Sequence, residues 1–186
     1  MSASLATPQT ATSTWNIDSA HTVAEFKVKH MMISNVKGRF TAVQGVLALD
    51  ENDLSKSRVE ATIDVASINT HEPQRDEHLK SADFFDAAKF PTLSFKSTRV
   101  DRSGEGELAV SGDLTIHGVT RNVVFAVEGP TPPAKDPWGN TRMGLSATTK
   151  IKRKDFGLTY NTALEAGGIL IGEEVTITLE VEFVKG

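Results

Sequence analysis

Alternation of apolar and polar residues with a period of two governs this chain from Trp15 onward, and it leaves few folds open. In EVTITLEVEFV, Val175, Ile177, Leu179, Val181 and Phe183 fall on one side of an extended backbone, and Glu174, Thr176, Thr178, Glu180 and Glu182 on the other. Such a strand has one wet face and one dry face, and the dry face must be covered. The pattern recurs in RVEATIDV (Val59, Ala61, Ile63, Val65), ELAVSGDLTI (Leu108, Val110, Leu114, Ile116) and MGLSATTKI (Met143, Leu145, Ala147, Thr149, Ile151). Further strands are expected at 22–30, 36–49, 92–100 and 121–128, making eight.

Turn chemistry separates them: Asp50 to Asp53, Asp101 to Gly106, His117-Gly118 and the Pro-rich GPTPPAKDPWGN from Gly129 to Asn140. The His117-Gly118 step is so short that it demands an antiparallel hairpin, for which a turn role for His117 suffices. No helical pattern long enough for a parallel crossover lies between strands, so the class is all-β and antiparallel. Eight such strands stack as a sandwich or close as a barrel. The long runs at 36–49 and 107–116, with Gly38, Gly45 and Gly112 where a curving strand needs no side chain, favour an eight-stranded barrel. A barrel of that size is filled by side chains or holds one small ligand.

The 186 residues fit one domain, read as a disordered tail over 1–13, rich in Ser, Thr and Ala, followed by the barrel over 14–186. A net charge of -4 disfavours nucleic acid, and KIKRK, Lys150 to Lys154, reads as a solvated strand end. Without cysteine there are no disulfides, thiolate metal sites or Cys nucleophiles. The first basic residue is Lys27 and no export signal or membrane-spanning stretch is visible, so a cytoplasmic location and no stable membrane insertion are expected.

The inward faces mix Phe26, Phe40, Phe95 and Phe125 with Ala61, Ala147 and Thr149, a mixture that suits a filled core and a hollow one equally. If hollow, the lining is apolar, and a long acyl or prenyl chain gains about 0.8 kcal/mol per buried CH2. The expected lining is Phe26, Val28, Phe40, Ile63, Phe95, Leu114, Ile116, Phe125, Leu145 and Ile177. His30 shares the parity of Phe26 and Val28; it is either satisfied in the core or hydrogen-bonds a ligand head group, with His21 nearby as a second head-group candidate. His71, Glu72, Asp76, Glu77 and His78 are too poorly spaced for a metal site, with Pro73 breaking any helix through both histidines. Gly-x-Ser-x-Gly, P-loop and dinucleotide motifs are absent, Asp155-Phe156-Gly157 lacks every kinase companion, and Trp138 is a lone loop aromatic.

RDEHLKSADFFDAAKFP, Arg75 to Pro91, interrupts the strands with a helical spacing that sets Leu79, Ala82 and Phe84 or Phe85 on one face. Together with DSAHTVAEFKVKH, LTIHGVTRNV and KRKDFGL, in that order, it resembles the YceI-like, polyisoprenoid-binding family over nearly the whole chain from Trp15. The resemblance implies a lipocalin-like barrel around a hydrophobic tunnel holding a long isoprenoid or related amphiphile. Residues 72–88 are then expected as a short helix and loop across the barrel, with Leu79, Phe84 and Phe85 facing the lipid and Arg75, Asp76, Glu77 and Lys80 wet. The expected function is non-catalytic carriage, storage or sequestration of an isoprenoid, quinone, fatty amide or fatty acid, with no cofactor required and a homodimer allowed. Two competitors stand: an enzyme on a prenyl or quinone-type lipid with His30 as acid or base, and a filled barrel acting through its surface in stress response.

Overall fold

The computed structural model describes residues 12–186. Its strands are β1 (Thr12–Ile17), β2 (Val23–His30), β3 (Ser34–Phe40), β4 (Val43–Asp50), β5 (Arg58–Asp64), β6 (Ile68–Asn69), β7 (Thr92–Gly104), β8 (Glu107–Ile116), β9 (Val119–Glu128), β10 (Ala134–Lys135), β11 (Thr141–Lys152) and β12 (Ile171–Lys185), with one α-helix, α1 (Pro73–Lys80). Every pairing is antiparallel. Eight strands close a ring in the order β11-β9-β8-β7-β5-β4-β1-β12, with β12 returning to β11.

The ring has a branch, and β12 creates it. One edge of β12 pairs with β11 from Glu174 to Val184, while the other pairs with β2 between Ile171 and Glu180 and with β1 from Phe183 to Lys185. The run expected as a single strand over 36–49 is therefore two: β3 follows β2, β4 follows β1, and Thr41-Ala42 lies between them. The tail boundary moves as well, since Thr12 and Ser13 pair with Asp50 and Leu49; residues 1–11 lie outside the described residues.

Parity decides what faces inward. Val59, Ala61 and Ile63, Leu108, Val110 and Leu114, and Val175, Ile177 and Leu179 all border the interior, as their alternation requires. Gly38 and Gly112 lie on inward faces for a packing reason. A Cβ on Gly38 would sit 2.3 Å from the Phe26 ring, and one on Gly112 would sit 2.5 Å from both the Phe95 ring and the Lys96 carbonyl oxygen. Each glycine gives an aromatic ring room to lie flat on the wall. At the β8–β9 hairpin His117 and Gly118 take φ of 54° and 71°, both positive as a two-residue turn requires.

Between β5 and β7 the chain leaves the sheet, and β3 there pairs only with the short β6. Helix α1 and the turns over 81–90 occupy this part of the wall. Glu72 caps the helix by accepting from the Gln74 and Arg75 amides at 3.2 and 2.6 Å, with Pro73 at its first position. Ser81 ends it, its hydroxyl and amide both donating to the His78 carbonyl. The helical stripe expected from the spacing does not form, because the helix stops before Ala82, Phe84 and Phe85. These side chains are aimed by successive turns instead, with Phe84 N–H bonding Ser81 O and Phe85 N–H bonding Leu79 O.

Candidate functional site

Inside the barrel lies one cavity of about 620 Å³. It is roughly four times the volume of an apolar cavity of about 150 Å³ that admits benzene, and it falls within the usual range for ligand sites. Along β12 it reaches from Ile171 to Phe183, about 40 Å measured on the strand. The barrel is hollow, long and narrow. All twelve residues expected on the tunnel border it: Phe26, Val28, Phe40, Ile63, Phe84, Phe85, Phe95, Leu114, Ile116, Phe125, Leu145 and Ile177. The rings pack edge to face on its wall, Phe95 on Phe125 with centroids 5.2 Å apart and Phe40 on Phe85 at 5.7 Å.

His30 also borders the cavity, half-buried, opposite Ile171. The expectation of a core partner for its ring is not met: the His30 side chain makes no hydrogen bond among the described residues. His21 is a correction. It lies on a single 3-10 turn outside the cavity, with 60% of its side chain exposed, and its Nδ1 meets Asp18 at 2.9 Å. The turn after Asp18 rotates it away from the strand parity that brings His30 inward.

Four polar residues not expected on the tunnel, Arg75, His78, Arg153 and Tyr160, also border the cavity. Arg75, expected to be wet, borders the cavity and donates to the Thr70 hydroxyl and carbonyl at 2.9 and 2.8 Å. Asp76, also expected wet, accepts from the Thr70 amide and hydroxyl. His78, Phe84 and Tyr160 form a trio with every pair of centroids 5.0 Å apart, and all three border the cavity. His78 is bound to Asp83 at 2.8 Å, whereas the Tyr160 hydroxyl has no hydrogen-bond partner among the described residues.

Arg153 is the most unusual of the four. It is buried, and its guanidinium donates only to carbonyl oxygens, those of Gly172, Leu158, Tyr160 and Ile171. Burial pulls its pKa down, and the nearby Glu173 carboxylate partly offsets that. The KRKDFGL motif explains the position: Phe156 is buried, and Gly157 ends the turn at φ 76°, so the chain can return beneath Arg153. The motif marked this place in the sequence, but the partners come from residues up to nineteen positions away and no local pattern identifies them.

Asp18, His21 and Glu182 bring potential ligand atoms within 4.8 Å of one another outside the barrel. The Arg142 guanidinium fills that cluster, reaching Asp18 and Asp136 at 2.6 Å and Glu182 at 2.8 Å. A cation already neutralises it. The residues around His71 and His78 do not gather either: His71 contacts Arg39 and His78 contacts Asp83. Trp138 is 80% exposed and does not border the cavity.

The YceI-like domain model matches residues 15–183. A UPF0312 protein of Vibrio vulnificus (strain YJ016) is 41% identical over 139 residues, covering 75% of this chain and 73% of that protein. Among solved structures, BcnA of Burkholderia cenocepacia superposes with a TM-score of 0.76 at 22% identity, covering 89% of this chain and 98% of that one. A polyisoprenoid binding domain from Saccharophagus degradans, implicated in plant cell wall breakdown, superposes at 0.67 with 15% identity, covering 92% and 98%.

Proposed function

The chain belongs to the YceI-like family, and on that premise we propose that it binds one long isoprenoid-type or related amphiphilic lipid inside the barrel, for carriage, storage or sequestration rather than for chemistry. The observation that carries this reading is the cavity: about 620 Å³, long, and walled by aliphatic and aromatic side chains over nearly its whole length. Such a wall withdraws a hydrocarbon tail from water without fixing its length, at about 0.8 kcal/mol per CH2 before ordering costs are deducted. The head group comes to rest at the His30 end, where the His30 ring and the Tyr160 hydroxyl are uncommitted. A quinone oxygen, an amide or a carboxyl suits these groups.

Catalysis finds less support. A general base is usually oriented by a second group, and His30 has no carboxylate or carbonyl on its ring among the described residues. The surface-acting, filled barrel loses its premise with the cavity. Calorimetric titration of lipid-stripped protein with a dispersed polyprenol tests the proposal. Saturation at one lipid per chain, abolished when Ala61→Phe and Ala147→Phe together fill the lumen, is the expected result. Equal heats from wild type and the filled variant would contradict it.

A further inference from the structure

The β2–β3 hairpin ends in an apolar tip that the fold does not cover. Met31, Met32 and Ile33 are 41%, 56% and 79% exposed, three large apolar side chains in succession on one turn. Nor is the turn comfortable. The Ile33 amide bonds the His30 carbonyl at 3.1 Å, so Met31 and Met32 are the two central residues, at φ of 51° and 61°. That left-handed pair is ordinarily given to Asn and Gly. The chain instead holds two methionines there, and the Met31 amide is anchored to the Leu170 carbonyl at 2.7 Å.

Charge surrounds the tip on the outer face of the same two strands. Lys27 and Lys37 are cross-strand partners, a like-charge pairing that an isolated sheet disfavours. Lys29 lies two pairs nearer the tip on the same face, opposite Asn35. All three lysines are exposed, and none is within salt-bridge distance of a carboxylate among the described residues. Glu25 is the one acid on these strands and stands opposite Arg39. On neighbouring segments Glu173 is held by Lys154 and Glu174 by Lys150, while Glu165 lies on the loop before β12. Apolar side chains at the apex with cations just behind them match the layering of an anionic bilayer, hydrocarbon beneath phosphate.

We propose that this hairpin docks the barrel on an anionic membrane surface, Met31, Met32 and Ile33 entering the acyl boundary while Lys27, Lys29 and Lys37 meet lipid phosphates. The cavity borders on His30, Leu170 and Ile171, so the docking tip and the polar end of the lumen are one residue apart along β2. The surface is argued independently of the cargo, and only its use as a place of loading or release rests on the lipid-binding reading. Thioethers suit the role, since flexible Met side chains adapt to an irregular apolar environment.

The test is co-sedimentation of lipid-stripped protein with vesicles of phosphatidylcholine alone or mixed equally with phosphatidylglycerol, at low and high salt. Binding to the mixed vesicles, weakened by salt and lowered about fivefold by each of Lys27→Ala, Lys29→Ala and Lys37→Ala, is expected. The combined variant Met31→Asn, Met32→Gly, Ile33→Ser relieves the positive-φ turn, so its Tm holds or rises while vesicle binding is lost. Wild type that ignores anionic vesicles, or a combined variant that binds them as wild type does, overturns the proposal. So does a wild-type dimer that the combined variant converts to monomer without any vesicle binding, which would make the tip a contact between two copies. Mass spectrometry of cargo in the same preparations reads the lipid-binding proposal separately.

Discussion

Arg153 is expected to matter out of proportion to its size. Its four carbonyl partners belong to the segment between Leu158 and Gly172, which it pins against the start of β12. Arg153→Met removes the guanidinium donor from these carbonyls in a buried setting, the Ile171 carbonyl alone of the four keeping a side-chain donor in the Asn161 amide, at a cost of about 3 kcal/mol, measurable by urea unfolding. Arg153→Lys should recover little, because one ammonium cannot span the positions a planar guanidinium reaches. Gly112→Ala is expected to cost about 1–3 kcal/mol by driving Phe95 and the Lys96 carbonyl apart. Arg142 governs acid stability. It is the main cause holding Asp18 down from 3.8 to about 2, with His21 second, and it holds Asp136 well below the usual carboxylate range. Both carboxyls bind protons less readily folded than unfolded, so their contribution is complete above about pH 4 and is lost as pH falls toward 2. Melting curves should show Tm falling through that window, and falling less in Arg142→Ala, which has already lost the pairs. Alternation was enough to place Phe26, Val28 and His30 inward, because a strand's parity is a local property. It could not identify Arg153 or Tyr160, whose roles come from long-range carbonyls and from a loop without periodicity.

At the scale of elements, the excursion between β5 and β7 is the part of the wall held by side chains rather than by a ladder. Phe84 packs on His78 and Tyr160, and Phe85 on Phe40, so the segment covers the lumen through aromatic contacts. Phe84→Ala with Phe85→Ala is expected to speed lipid release at least tenfold in a dilution assay, with the β-sheet circular dichroism unchanged; release at the wild-type rate would show that this segment does not cap the tunnel. The strands were legible because each carries its own two-residue period, and the His117-Gly118 turn because its length admits one geometry. The split of 36–49 into β3 and β4 was not, since it follows from β12 changing partners, a fact of pairing that neither strand's own sequence contains. Helix α1 was anticipated as to place but not as to how its aromatics are aimed. Ser81 ends it before Phe84, and turns at that range resemble a continuing helix in residue spacing.

The whole molecule is a closed ring of eight strands around an apolar lumen large enough for a lipid tail, and its proposed function depends on that property. The composition of the inward faces leaves a filled and a hollow barrel equally open, because large and small residues serve both; the family resemblance favours the hollow one, and the arrangement in three dimensions shows the cavity. Among the described residues no helix is long and apolar enough to cross a membrane. The most direct measurement is native mass spectrometry of freshly purified protein, followed by solvent extraction and identification of what is released. A single mass excess that dissolves into one prenyl or acyl lipid per chain is the predicted result. An apo mass that persists after incubation with isoprenoid quinones and fatty amides would contradict the lipid-binding account, whatever the volume of the cavity.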